Sequence, residues 1–145
     1  MYALAWSGET CLAACSAYRS ALRLDLSRRI PCGTVADHDG DIYALDTGGA
    51  LVATGSKDRT VQISDTRQRS RPSLVLREHT GSVLDVRLRQ HRLVSASLDK
   101  TVRMWDLRSP TAPFRTLDGH AQGVHCVDFS DELVVSGGPP YCMAD

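Results

Sequence analysis

The chain repeats itself every 41 residues, and this period constrains its fold more than any other feature. His38, His79 and His120 stand at that spacing, and so do Thr54, Ser95 and Ser136. Asp58 and Asp99 keep the same step, as do Thr60 and Thr101, Val61 and Val102, and Asp65 and Asp106. A fixed period of this size belongs to stacked supersecondary units, none of which can bury its apolar face alone. Between the markers of the best-preserved unit, Leu76 to Arg108, lie VLDVRL, RLVSAS and TVRMWDL. Each run alternates apolar and polar residues as a half-buried strand does. Thr80-Gly81-Ser82 precedes the first run, and Leu98-Asp99-Lys100 separates the second from the third as turns. The unit is therefore expected to be a meander of short strands.

The residues that carry the period, namely Gly119-His120, Trp105-Asp106 and Ser95-Ala-Ser-Leu-Asp-Lys-Thr-Val-Arg-Met-Trp-Asp106, resemble the WD-repeat family. That resemblance implies an all-β chain, a partial β-propeller of about three and a half four-stranded antiparallel blades whose ring is not closed. The expected division is a degenerate blade over 1–36, blades over 37–77 and 78–118, a truncated blade over 119–138 and a non-repeat tail over 139–145. Stepping Val124, Val127 and Phe129 back by three periods places Met1, Leu4 and Trp6 on a first inner strand. The chain then reads as a fragment of a longer propeller, since roughly seven such repeats need about 290 residues. Its terminal strands would be open edges, so self-association is expected.

The resemblance also assigns a buried hydrogen-bond relay to His79, Ser95, Asp99 and Trp105. Partial copies fall at His38, Thr54 and Asp58, where Ser64 takes the place of Trp, and at His120 and Ser136. His, Ser and Asp are also the residue types of a hydrolase triad, which requires an exposed nucleophile beside an oxyanion hole. Ser95 sits instead on an alternating strand without a Gly-x-Ser-x-Gly elbow. The set recurs at His38, Thr54 and Asp58, as expected of a structural device rather than an active site. No catalytic residue is assigned, and a serine hydrolase is kept as a remote alternative.

Other constellations fail on spacing. Asp37-His-Asp-Gly-Asp41 has alternating acids, but its glycine is fourth rather than sixth and Gly48 replaces the closing Glu of a calcium loop. Gly49 to Lys57 resembles a phosphate loop, yet Ser56 separates glycine from lysine and no helix follows. His120, His125 and Cys126 form no metal set, because adjacent strand residues point to opposite faces. No metal or other cofactor is expected.

Lys plus Arg and Asp plus Glu both number 17, so no net field draws the chain to nucleic acid or a membrane surface. Arg67, Arg69 and Arg71 form the one basic run, too short for a nucleic-acid footprint. Of the 17 basic residues, Lys57 and Lys100 are the lysines; all others are Arg, a side chain suited to planar recognition. No apolar run reaches the roughly 18 residues of a span. Five cysteines in no scaffold pattern, and no Asn to carry a glycan, point to a reducing compartment, the cytoplasm and/or nucleus.

What remains is surface. In the family the loops before the first strand and between the second and third share the face that receives partners. Matching positions are Asp39, Asp41, Tyr43, Lys57 and Arg59 in one blade, and Leu84, Leu98, Lys100 and His125 further on. The expected function is a non-catalytic scaffold that binds a protein or peptide there. An alternative follows from the short turns between first and second strands, at 48–51, 89–92 and 130–133. They resemble those of F-box/WD proteins, which implies a substrate-recognition fragment of a cullin-RING ubiquitin ligase subunit, with ligase components as partners.

Overall fold

A computed structural model of the chain describes residues 2–7, 10–15, 19–25, 30–68 and 74–139. Within them are fourteen strands and, among the described residues, no helix. The first sheet holds β1 (Tyr2–Ser7), β2 (Thr10–Cys15), β3 (Ser20–Asp25) and β4 (Ile30–Asp37). The second holds β5 (Ile42–Gly48), β6 (Leu51–Ser56), β7 (Val61–Asp65) and β8 (Leu74–Leu76). The third holds β9 (Val83–Arg89), β10 (Arg92–Ser97), β11 (Val102–Asp106) and β12 (Arg115–Leu117). Finally, β13 (Cys126–Phe129) pairs with β14 (Val134–Gly137). Neighbours in sequence pair antiparallel throughout, so each sheet is a meander. The architecture is an open run of propeller blades, all-β, whose described strands do not close a ring. Arg69, Arg71 and residues 140–145 of the expected tail lie outside the described residues.

The strand alternation read from the sequence becomes burial because both faces of a middle sheet are covered. Val52, Ala53, Thr54, Gly55 and Ser56 on β6 are all buried, and so are Leu93 to Ser97 on β10. The core is accordingly divided among the gaps between sheets. Ala21, Ala36, Ile42, Leu45 and Val52 fill the first gap. Ala44, Ala53, Ile63, Val86, Leu93 and Trp105 are among those filling the second. Val94, Ala96, Val102, Val124, Val127 and Phe129 fill the third. At roughly 25 cal/mol per Å² of apolar surface removed from water, these gaps are what hold one sheet against the next.

Two carboxylates add direction to that packing. Asp46 on β5 accepts from its neighbour Thr47 N and, through its other oxygen, from Leu88 N on β9 at 2.8 Å. Asp85 on β9 accepts from Val86 N and from Val127 N on β13 at 2.9 Å. Each ties one inner strand to the next by capping a backbone N–H that no strand partner reaches. Burial pushes the Asp85 carboxyl up, against the hydrogen bonds from Val127 N and Val86 N and the nearby Arg87. Further out, Gln62 on β7 bonds both N and O of Asp37 on β4, and the Ser64 hydroxyl donates to Val35 O.

The turns decide what the two ends of the sheets present. At one end, β5–β6 and β9–β10 close on two residues, Gly49-Ala50 and Gln90-His91. Their first residues take left-handed backbone, φ 65° at Gly49 and φ 54° at Gln90. At the other end, the loops before β5 and β9 meet the turns Lys57-Asp58-Arg59 and Leu98-Asp99-Lys100.

Candidate functional site

The second end is where the period concentrates its polar residues. His79 precedes β9 with its side chain enclosed. Its Nε2 lies 2.8 Å from the Ser95 hydroxyl and its Nδ1 2.7 Å from Asp99 Oδ2. The Trp105 indole N–H donates to the same Ser95 oxygen at 3.0 Å. One hydroxyl on β10 thus joins an imidazole from the entry loop to an indole on β11. Ser95 is fully buried and Trp105 nearly so, which leaves no water to replace a lost partner.

Asp99 turns this relay outward into the loops. Its Oδ2 also accepts from Thr80 N at 3.0 Å, and Oδ1 accepts from both N and Oγ1 of Thr101 at 3.0 and 2.7 Å. The Asp99 N–H donates to Ser97 Oγ. The turn is fixed so firmly that Lys100 holds a left-handed backbone at φ 72°, a conformation that costs an L side chain energy and persists only under such constraint. Gly81 belongs to the same device: a Cβ there would come within 2.6 Å of Asp99 N, so only glycine lets the entry loop lie on the turn.

The preceding sheet repeats the geometry one period earlier. His38 meets Thr54 Oγ1 and Asp58 Oδ2, both at 2.8 Å. Asp58 accepts from Asp39 N, Thr60 N and Thr60 Oγ1, and Arg59 is left-handed at φ 71°. A Cβ on Gly40 would lie 2.9 Å from Asp58 N. The indole is missing: Ser64 stands in its place and its hydroxyl leaves the relay for Val35 O. In the last sheet His120 Nε2 lies 2.8 Å from Ser136 Oγ. Pro140, in the place of the Asp, lies outside the described residues.

Electrostatics follow from burial. Desolvation lowers the pKa of His79 from its ordinary 6.5, and the adjoining Asp99 only partly offsets it. Burial would raise the Asp99 carboxyl, but hydrogen bonds from Thr101, His79 and Thr80 N outweigh it and hold the group at about 2. Asp58 is likewise held well below the usual carboxylate range: burial opposes the hydrogen bonds from His38 and Thr60, and the bonds win.

The repeat recognised by the WD domain, G-beta repeat family model matches residues 29–65, 70–106 and 111–138, most of the chain. The chain belongs to the WD-repeat family. Each matched WD repeat straddles two sheets: 29–65 takes in β4 with β5, β6 and β7, and 70–106 takes in β8 with β9, β10 and β11. A repeat therefore supplies the outer strand of one blade and the three inner strands of the next. The chain is similar to one in a crystal structure of the mitotic checkpoint complex, at 22% identity and a TM-score of 0.84. That match covers 93% of this chain and 43% of the other. It is also similar to the computationally designed Ika8 protein, at 20% identity and a TM-score of 0.83, over 92% of this chain and 41% of that one. The WD-repeat chain thus spans less than half the length of these solved propellers. No curated protein sequence matches it.

Around the relays stand the side chains that the sequence offered as partner contacts. Asp39, Lys57, Arg59, Leu98, Lys100 and His125 are exposed, whereas Asp41, Tyr43 and Leu84 are half-buried. Asp39, Asp41 and Lys57 line one shallow cleft of about 310 Å³ with Arg19 and Asp58. Leu98 and Lys100 lie further round on the turn between β10 and β11, and His125 immediately precedes β13. His120 and Ser136 border another cleft of the same size.

The reading from sequence passed over Asp46 and Asp85. Asp85 has no counterpart one step away, where Ala44 and Cys126 stand, and Asp46 finds one only two steps on, at Asp128, with Arg87 between. The available signal was a carboxylate inside the apolar runs Ile42–Leu45–Asp46 and Val83–Leu84–Asp85–Val86, where an unpaired charge is too costly to bury. Gly40 and Gly81 also keep the period, a step not drawn from the sequence, where one stood in a calcium-like spacing and the other in a turn.

The relay geometry sets two expectations. His79→Ala leaves the Ser95 hydroxyl and Asp99 each one partner short in a largely dry site and should cost roughly 1–3 kcal/mol. His38→Ala should cost less, because its relay already lacks the indole; equal falls in urea midpoint would contradict this. The native chain should also lose stability as pH drops below 6.5, where the unfolded chain takes a proton that the buried imidazole of His79 resists. A further loss should come between 3.8 and about 2 as Asp99 protonates. Urea midpoints against pH, native beside His79→Ala, test both steps.

Proposed function

We propose that the chain is a non-catalytic protein-interaction scaffold that receives a protein or peptide on the loops around Lys57, Arg59, Leu98 and Lys100. One observation carries the reading: the relay side chains are consumed in holding these loops still. Ser95 is fully buried and its oxygen already meets both His79 and the Trp105 N–H, so it has neither the exposure nor the free approach of a nucleophile. Loops fixed in advance bind at a smaller entropic cost, which suits a recognition surface of mixed charge with scattered apolar side chains. A reducing compartment, cytoplasm or nucleus, is part of the same proposal.

The finer role, substrate recognition within an F-box/WD ubiquitin ligase subunit, draws support from the two-residue turns at Gly49-Ala50 and Gln90-His91. An F-box encoded upstream of Met1 in the parent transcript would support it, and a parent transcript without one would exclude it.

The scaffold reading expects no labelling of the chain by a fluorophosphonate serine-hydrolase probe. Labelling that disappears in Ser95→Ala would replace it with the hydrolase alternative. A separate expectation concerns the edge at β14, where Leu133 and Val135 are 62% and 59% exposed and β13 is the one strand partner among the described residues. Such an edge invites pairing, so the isolated chain should elute from size-exclusion chromatography as concentration-dependent oligomers, reduced in Val135→Lys. A monodisperse monomer melting cooperatively above about 50 °C, as ordinary domains do, would refute self-association.

A further inference from the structure

The opposite end of the blades carries a feature that neither the relays nor the loop face requires. The β9–β10 and β13–β14 hairpins and the turn after β11 enclose a pocket of about 410 Å³. Arg89, His91, Arg92 and Arg108 line it together with Phe129 and Asp131. Because the strands are antiparallel, these turns lie a full strand length from His79 and Asp99.

The period shows which of these residues the fold needs. Arg108 has a counterpart in Arg67, and each binds the Asp two residues before it, Asp106 and Asp65, through both carboxylate oxygens. That pair belongs to the repeat. Arg89, His91 and Arg92 have no such counterparts: one period earlier stand Gly48, Ala50 and Leu51, and one period later Ser130, Glu132 and Leu133. Blades are built without basic residues at these positions, so stacking does not explain them.

Their placement works against stability. Arg89 and Arg92 face each other directly across the closing rung of the hairpin, and like charges so placed repel. The repulsion is only lightly offset. Arg89 stacks over Phe129 at 5.5 Å and reaches Asp128 at 3.2 Å, where both partners are largely exposed. Arg92 faces Asp131 at 3.6 Å, and that carboxylate is fully exposed. Open pairs of this kind contribute little and exchange readily for another carboxylate. Three guanidinium groups line the pocket; Arg108 is held by Asp106 through both oxygens, so Arg89 and Arg92, in their open pairs with Asp128 and Asp131, are the two that can exchange for an incoming carboxylate. The Arg89 plane is already oriented by the ring beneath it, and a guanidinium fork matches an oxyanion in geometry.

From this arrangement we infer that the pocket is a docking site for an acidic segment of a protein partner, separate from the loop face. A glutamate-rich peptide is the probe, fluorescein-labelled and titrated with the full chain by fluorescence anisotropy at low salt. Saturable binding is expected. Arg92→Glu should weaken it by about tenfold or more, the loss of a charge-assisted contact, and Arg92→Gln should weaken it in the same direction. Arg77→Glu makes the same charge change at an exposed residue of the far loop and should leave binding intact. Absence of saturable binding to the native chain overturns the inference. Equal weakening by Arg92→Glu and Arg77→Glu also overturns it, because a diffuse field rather than a pocket would then hold the peptide. Arg92→Gln decides the matter if the charge reversal prevents folding.

Discussion

An imidazole held between a carboxylate and a hydroxyl, inside a sheet, is the interaction on which the rest of this structure depends. In the third blade it joins four separate pieces of chain: the entry loop through His79, β10 through Ser95, the following turn through Asp99 and β11 through Trp105. Each partner is buried or nearly so, and each bond leaves the next donor or acceptor satisfied. Such a network is stable when complete and costly when interrupted. Its outer member, Asp99, then transmits the order to the surface by gathering Thr80 and Thr101. The entry loop and the turn on the loop face are thus tied to chemistry at the blade's interior.

Blades also have to meet, and here the balance of forces is different. The gaps between sheets are filled largely by small and β-branched side chains, with Trp105 the largest fully buried group among the described residues. Apolar burial is non-directional, so by itself it would tolerate one sheet sliding over the next. Asp46 and Asp85 remove that freedom, since each accepts a specific N–H on the neighbouring inner strand. Asp85 retains this role even though burial raises its pKa, because its bonds to Val127 N and Val86 N stand against the desolvation.

Much of this was legible in the sequence because a repeat states its message more than once. The step of 41 residues located the strands, the turns and the His, Ser or Thr, and Asp positions without any three-dimensional information. The WD-repeat resemblance supplied the fold, and the substitution of Ser64 for the indole marked the relay that lacks this member. What the period could not carry was whatever departs from it. Asp85 has no counterpart and Asp46 matches only Asp128, two steps on with Arg87 between, so the period did not single them out. The pocket residues Arg89, His91 and Arg92 are likewise unmatched, and only folding brings them beside Phe129 and Asp131. Exposure was the other blind spot: Tyr43 and Leu84, offered as rim contacts, are half-buried because inner strands pack side by side.

The central claim is that the relay acts as one unit through the Ser95 hydroxyl. A double-mutant cycle of His79→Ala and Trp105→Phe measures this most directly, since these side chains meet at that oxygen. Coupling of about 0.5–3 kcal/mol in unfolding free energy is the predicted result. Losses that simply add, within about 0.3–0.5 kcal/mol, would mean that the two side chains contribute independently and that no relay holds the blade.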